Sequence, residues 1–203
     1  MRLLYGTNNP AKLTMMRECL ASLPIELIGP LECGCQLLDV EESGNNPLEN
    51  ARVKAAAYRN ASGMHTLAAD SGLYLDGISQ EAQPGVYIRR VQGKRLSDEE
   101  MIEYYARLAA SMGGRVVARY RNALCVATAD NRIFERFDDS VASKPFYLVD
   151  RPHPDRTPGF PLDSISVEIK SGLYYNDLGQ YRTMDDIAMR YGFLDFVLEV
   201  MNQ

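Results

Sequence analysis

Tryptophan is absent from this 203-residue chain, and histidine occurs only at His65 and His153. Two histidines all but exclude a multi-histidine metal centre. Any metal work therefore falls to carboxylates, which favours magnesium or manganese. Cysteine is sparse: Cys19, Cys33, Cys35 and Cys125 lack zinc-type spacing, and Cys33-Gly34-Cys35 is one residue short of CxxC. Free thiols in a reducing cytosol are the expectation. No apolar run approaches the roughly 18 residues needed to cross a bilayer. Met1 to Gly6 is too short and too soon interrupted to read as a signal peptide. A formal charge of −5 leaves no broad basic surface of the kind that grips nucleic acid. The expectation is a cytoplasmic protein with neither membrane nor nucleic acid as partner.

What is present begins with 46% hydrophobic content, enough at this length to bury a core in one domain spanning 1–203, or two closely packed lobes. Residues 2–6 read as a buried strand, and Pro10 opens a helix through Leu20 with Leu13, Met16 and Leu20 on one face. A second strand covers 25–28. Pro47 begins another helix, with Leu48, Ala51, Ala55 and Tyr58 on its apolar side and an end near Ser62-Gly63. Thr66–Ala69 reads as a strand, Asp70-Ser71-Gly72 as the turn after it, and Tyr74-Leu75 as resumed extension. Ser97 caps a helix with acids in its first turn, running to about Ser111 and stopped by Gly113-Gly114. Alternating residues over 115–129 and 132–137 predict a hairpin around Asp130-Asn131. Pro152, Pro154, Pro158 and Pro161 mark 150–163 as a loop. A last helix spans about 184–201, with Ile187, Tyr191, Leu194, Val197, Leu198 and Met201 facing the core. This order predicts an α/β fold: a mixed, elongated sheet flanked by helices, in two lobes with a central cleft.

Thr7-Asn8-Asn9-Pro10-Ala11-Lys12 joins a strand to a helix, whose N-terminus offers unpaired N–H groups and partial positive charge to a phosphate. Taken alone, Asn9 is a helix cap and Lys12 a solvated cation. Glu41 and Glu42 are adjacent, so on extended chain only one of them can line a given site. Asp70 ends an apolar strand, where open α/β sheets place ligands, although a turn-forming aspartate is the ordinary alternative. Lys54 shares a helical face with Asn50; by itself it is a surface lysine. Acid, lysine and acid within about thirty positions suit a divalent metal, a triphosphate and an activated water.

Together these segments resemble the inosine triphosphate pyrophosphatase family, which cleaves aberrant purine nucleoside triphosphates to monophosphate and pyrophosphate. The matching residues are Thr7, Asn9 and Lys12; Glu41-Glu42-Ser43-Gly44; Leu48, Glu49, Asn50, Ala51, Lys54 and Ala55; Asp70-Ser71-Gly72-Leu73; and Pro84-Gly85-Val86-Tyr87 with Arg90. The likeness covers about the first 95 residues in order and spacing. Beyond them the chain departs. Phe160-Pro161-Leu162-Asp163 stands for the family's Phe-Gly-Tyr/Trp-Asp-Pro loop, Ala188-Met189-Arg190 for its Ser-His-Arg, and Met184 for a lysine. Ala69 replaces the first acid of its Asp-Asp pair.

The resemblance implies Glu42 and Asp70 as holders of magnesium (or manganese), with Asp70 activating water. It implies Lys12, Lys54 and Arg90 as partners of the phosphates, with Thr7, Asn9 and Ser71 beside them. Phe160 would stack on a base, and Asp163 or Arg190 would bond its edge. The pocket is expected to be more apolar than in the family and changed in base preference. A homodimer is expected, using apolar surface on the 98–111 helix and the 115–137 hairpin. Two other readings stay open: a nucleotide-binding protein that no longer turns over, and a Maf-like pyrophosphatase acting on pyrimidine or modified nucleotides.

Overall fold

The computed structural model describes residues 1–179 and 187–203. Nine strands are described: β1 (Arg2–Tyr5), β2 (Glu26–Ile28), β3 (Thr66–Leu75), β4 (Arg90–Val91), β5 (Lys94–Arg95), β6 (Arg115–Ala127), β7 (Ile133–Arg136), β8 (Phe146–Val149) and β9 (Ser166–Glu168). The helices are α1 (Pro10–Leu20), α2 (Pro47–Ser62), α3 (Asp98–Ser111) and α4 (Ile187–Met201). The main sheet runs β2-β1-β3-β6-β8-β9, with β7 also on β6. β1 pairs parallel with β2 and β3, whereas β7 and β8 pair antiparallel with β6, so the sheet is mixed. Among the described residues no helix is long and apolar enough to cross a membrane.

The helix ends follow from local chemistry. Asn9 and Asn46 cap α1 and α2, each with a proline in the first turn. Gly63, with φ +70°, closes α2 through a bond from its N–H to the Arg59 carbonyl. Ser97 and Glu100 form a reciprocal capping box on α3, and Gly113 and Gly114 follow it with φ of +92° and +94°.

Contacts divide the chain into two units. The first is Met1–Ser71, Arg121–Ala142 and Ala188–Gln203; the second is Gly72–Tyr120 and Ser143–Ile187. In the first, alternate strand residues feed opposite layers. Leu3, Tyr5, Leu67, Leu124 and Val126 pack with Met16 and Leu20 of α1 and Phe193, Phe196 and Val197 of α4. On the other face Ala68, Ala123, Cys125 and Ala127 meet Ala51 and Ala55 of α2. Because both sides of that contact are small, helix and strand approach closely. The second unit has its own core, with Leu73 and Leu75 of β3, Ile102 and Tyr105 of α3, and Phe146 and Leu148 of β8.

Three expectations need correction. Asp70-Ser71-Gly72 is not a turn: β3 continues through it for 10 residues. The Leu73 N–H and C=O both bond Gly85, and the Ser71 hydroxyl bonds Asn122, so pairing holds the segment extended against its turn-forming composition. Second, two residues expected to face the core from α4 do not. Tyr191 is 67% and Leu198 39% exposed, and Phe193 and Phe196 are buried in their stead. Val197 is buried, and Leu194 and Met201 pack against the core, as expected. Apolar residues cover most of the helix, so its pattern sets the face only coarsely, and Gly192 fixes it. A Cβ there would lie 2.1 Å from the Ser140 carbonyl oxygen, so only glycine permits the approach. Third, the apolar face of α3 is not surface. Met101, Ile102, Tyr105, Ala106 and Ala109 are buried in the second unit's core together with Val116 and Ala118 of β6, whereas Ile133 on β7 of the hairpin is 43% exposed. The expectations for residues 184–186, Met184 included, lie outside the described residues, as does the side chain of Ile187.

Candidate active site

The site is built on the α2 face of the first unit. Ala68 and Asp70 alternate with Leu67 and Ala69, so Asp70 turns toward α2 while Ala69 packs into the opposite layer. Two residues one helical turn apart meet it. Asn50 Nδ2 donates to Asp70 Oδ2 at 3.1 Å, and Lys54 Nζ bonds Asp70 Oδ1 at 2.7 Å. The same ammonium lies 3.1 Å from Glu42 Oε1. Both carboxylates thus contact one nitrogen, which holds their nearest oxygens within about 6 Å of each other. Lys54 and Asp70 keep only 12% and 10% of their side chains exposed, against 37% for Glu42. The inner pair is therefore screened from water and the outer acid is open to it. Glu41 is exposed, as adjacency to Glu42 on extended chain requires.

Glycine at position 44 has a steric reason. A Cβ there would lie 2.6 Å from Glu49 Cβ and 2.7 Å from Asn50 Oδ1. That space is closed because the Gly44 N–H donates to Asn50 Oδ1 at 2.9 Å. Asn50, 1% exposed, therefore ties the loop of Glu42 to the strand of Asp70. Sequence reasoning places it in a matched motif but misses this role; its four-residue spacing from Lys54 is the available signal.

The α1 N-terminus stands beside this cluster in chain and sheet. β1 ends against β3, with the Gly6 N–H on the Leu67 carbonyl, and the chain turns directly into α1. Thr7 Oγ1 accepts from the Asn9 N–H, and Asn9 Oδ1 accepts from the Ala11 and Lys12 N–H groups at 2.9 and 3.3 Å. Asn8 bonds the Leu38 carbonyl and accepts from the Tyr58 hydroxyl of α2. Burial, the largest effect, pushes the Tyr58 phenol above its ordinary range, and the Lys54 charge pulls it back.

On the other face, Ser71 donates to Asn122 Oδ1 at 2.7 Å, and Asn122 Nδ2 reaches the Val141 carbonyl and Met189 Sδ. Sequence reasoning misses Asn122 because nothing near it in the chain marks it. Arg190 stands 3.8 Å from Glu18, and Ala188 is exposed. The remaining expected residues belong to the second unit. Arg90 is exposed on the β4–β5 ribbon, Phe160 is half-buried, and Asp163 is buried in a short helical turn. The four cysteines are free.

Sheet, helices and the acid–lysine–acid cluster define a mixed α/β protein with a polar centre between α2 and the middle of β3. The chain belongs to the Ham1 family, whose model matches residues 3–147, in keeping with the motif resemblance. A dITP/XTP pyrophosphatase of Rhodopseudomonas palustris is 36% identical over 138 residues, covering 66% of this chain and 64% of that protein. One from Synechococcus sp. is 31% identical over 180 residues, covering 88% and 79%. The chain thus spans somewhat under two thirds of the length of the Rhodopseudomonas relative, and 40% of one from Anaeromyxobacter sp.. A HAM1 protein from Coxiella burnetii shares the fold with a TM-score of 0.75 and 22% identity, over 100% of this chain and 98% of that one.

Proposed function

We propose that the chain hydrolyses a nucleoside triphosphate, ribo or deoxy, to the monophosphate and pyrophosphate. The observation that carries this reading is the Lys54 ammonium shared by Glu42 and Asp70. The relatives' name, dITP/XTP pyrophosphatase, supplies the substrate class. A cation between two acids, with a helix N-terminus following the neighbouring strand β1, suits a substrate that brings several negative charges and a metal of its own.

The donor set fits magnesium, with manganese as a substitute. Glu42 and Asp70 offer oxygen only, and few protein ligands suffice where phosphates and water complete the shell. Among the described residues no group of three or more His, Cys, Asp or Glu gathers as a fuller cage. Bound there, the ion would supply positive charge against the phosphate oxygens.

The chain's own residues do the rest. Asp70, held by Asn50, takes a proton from the attacking water. Lys54 exchanges its carboxylate partners for phosphate oxygens, and Lys12 and the N–H groups of the first α1 turn bind others. Thr7 and Asn9 shape that first turn for the phosphates, and for Ser71 the phosphate role rests on the motif resemblance alone. For Arg90, Phe160 and Asp163 the motif resemblance supplies the roles: phosphate for the first, base for the other two. Met189 lies on Asn122 and presents a thioether beside Ser71, and only Arg190 of the 188–190 segment is charged. We therefore propose a base preference that is less selective for 6-oxopurines or tuned to a different base altogether.

The test is pyrophosphate release from a panel of NTPs and dNTPs with and without magnesium. Asp70→Asn should abolish release while keeping the fold, and Lys54→Ala should weaken both binding and turnover. Wild-type turnover in Asp70→Asn would remove that residue from the mechanism. A strong kcat/KM preference for inosine and xanthosine nucleotides over ATP, GTP and dUTP would overturn the base assignment.

A further inference from the structure

Cys33 and Cys35 lie outside the nucleotide reading. They sit on the turn that follows β2, separated by Gly34, whose φ is +78° and where a Cβ would meet nothing within 4 Å. The chain folds back on itself there. The Pro30 carbonyl accepts the Cys35 N–H at 2.9 Å and the Cys33 thiol at 3.1 Å, and the Cys33 N–H donates to the Gly29 carbonyl at 3.3 Å. The two cysteines thus stand two residues apart on one tightly bent turn. Both are half-buried, so reagents can reach them, whereas Cys19 and Cys125 are 7% and 0% exposed.

We propose that Cys33 and Cys35 form a peroxide-reactive dithiol that closes to a reversible disulfide within the turn. Residues two apart on a bent chain bring their Cα atoms within the span a disulfide requires, and a glycine between them lets the backbone adjust. Either half-buried thiol can ionise first, and the cycle closes alike from both. With Cys33 leading, its thiolate sulfur attacks the peroxide, the O–O bond breaks, and Cys33 becomes a sulfenic acid while one water leaves. The Cys35 thiolate then attacks that sulfur, the S–S bond forms, and the S–O bond breaks to release a second water. Two thiols lose two electrons and two protons, and hydrogen peroxide is reduced to two waters.

The experiment uses the reduced, intact chain and hydrogen peroxide, read by intact mass and peptide mapping without any nucleotide. The expected result is loss of two hydrogens on the peptide holding both cysteines, reversed by dithiothreitol, with Cys19 and Cys125 still free. Cys35→Ser should accumulate a dimedone-reactive sulfenic acid on Cys33, and Cys33→Ser the same on Cys35, with neither variant closing an internal disulfide. Two thiols that stay free, two separate sulfinic acids, or a disulfide engaging Cys19 or Cys125 would each overturn the proposal.

Discussion

Asn50 has two bonds to lose. Truncation to alanine strands the Gly44 N–H and one Asp70 oxygen in a buried place, and a buried group left without its partner costs roughly 1–3 kcal/mol. Asn50→Ala should therefore destabilise the chain by about 2 kcal/mol in urea unfolding and lower kcat more than it raises KM, because Asp70 is then held by Lys54 alone. Asn50→Asp keeps an acceptor for Gly44 but sets a carboxylate against Asp70, so it should be the less active of the two. Equal activity in both variants would deny Asn50 its positioning role. This residue illustrates what a linear reading misses. Each motif announces its chemistry, whereas the bond that joins the Glu42 loop to the Asp70 strand exists only after folding. Ala69 is legible as a departure, and its consequence becomes plain once strand alternation turns it away from Lys54.

At the level of elements, the starts of α1 and α2, each an asparagine cap followed by proline, and the Gly63 end of α2 can be bounded to within a residue, because caps act locally. The Asp70-Ser71-Gly72 stretch cannot, since its partners Gly85 and Asn122 are remote in sequence. The last helix is legible only in part, for a different reason: apolar residues cover most of it, with a solvent side marked by Asp195 and Glu199, so tertiary contact settles which of the others are buried. Gly192 makes that choice testable. Alanine is better than glycine in a helix by about 1 kcal/mol, but a Cβ placed 2.1 Å from the Ser140 carbonyl must displace backbone, and overpacking of that kind costs about 3 kcal/mol. Sterics should win. Gly192→Ala is expected to lose about 2 kcal/mol net, while Tyr191→Ala on the exposed side should stay within about 0.5 kcal/mol. A stabilised Gly192→Ala would mean that α4 docks elsewhere.

At the scale of the molecule, the first unit is assembled from three separated segments and the second from two. Such interleaved membership is not legible in the sequence, for β3 and β6 each begin in one unit and end in the other. Both units bury ionisable groups in their neutral form. In the first unit burial pushes Cys125 from 9.0 up to about 12 and drives Tyr5 well above its ordinary 10.0. In the second, burial raises Tyr105 likewise. A thiol or phenol with a raised folded pKa keeps its proton when the unfolded chain would release it. The folded state then binds more protons above the unfolded pKa, and stability falls as pH rises. For Cys125 the window is pH 9 to about 12, and for the tyrosines it opens near pH 10. A tenfold change in proton affinity is worth about 1.4 kcal/mol at most, so several kcal/mol should disappear across this range. The urea midpoint should hold steady from about pH 7 to 8.5 and drop steeply by about pH 10.5. Cys125→Ala should start lower, because it leaves a small cavity beside α2, and then lose less than the parent between about pH 9 and 10.5. An unchanged midpoint at the alkaline end would mean that these side chains reach water far more readily than their burial implies.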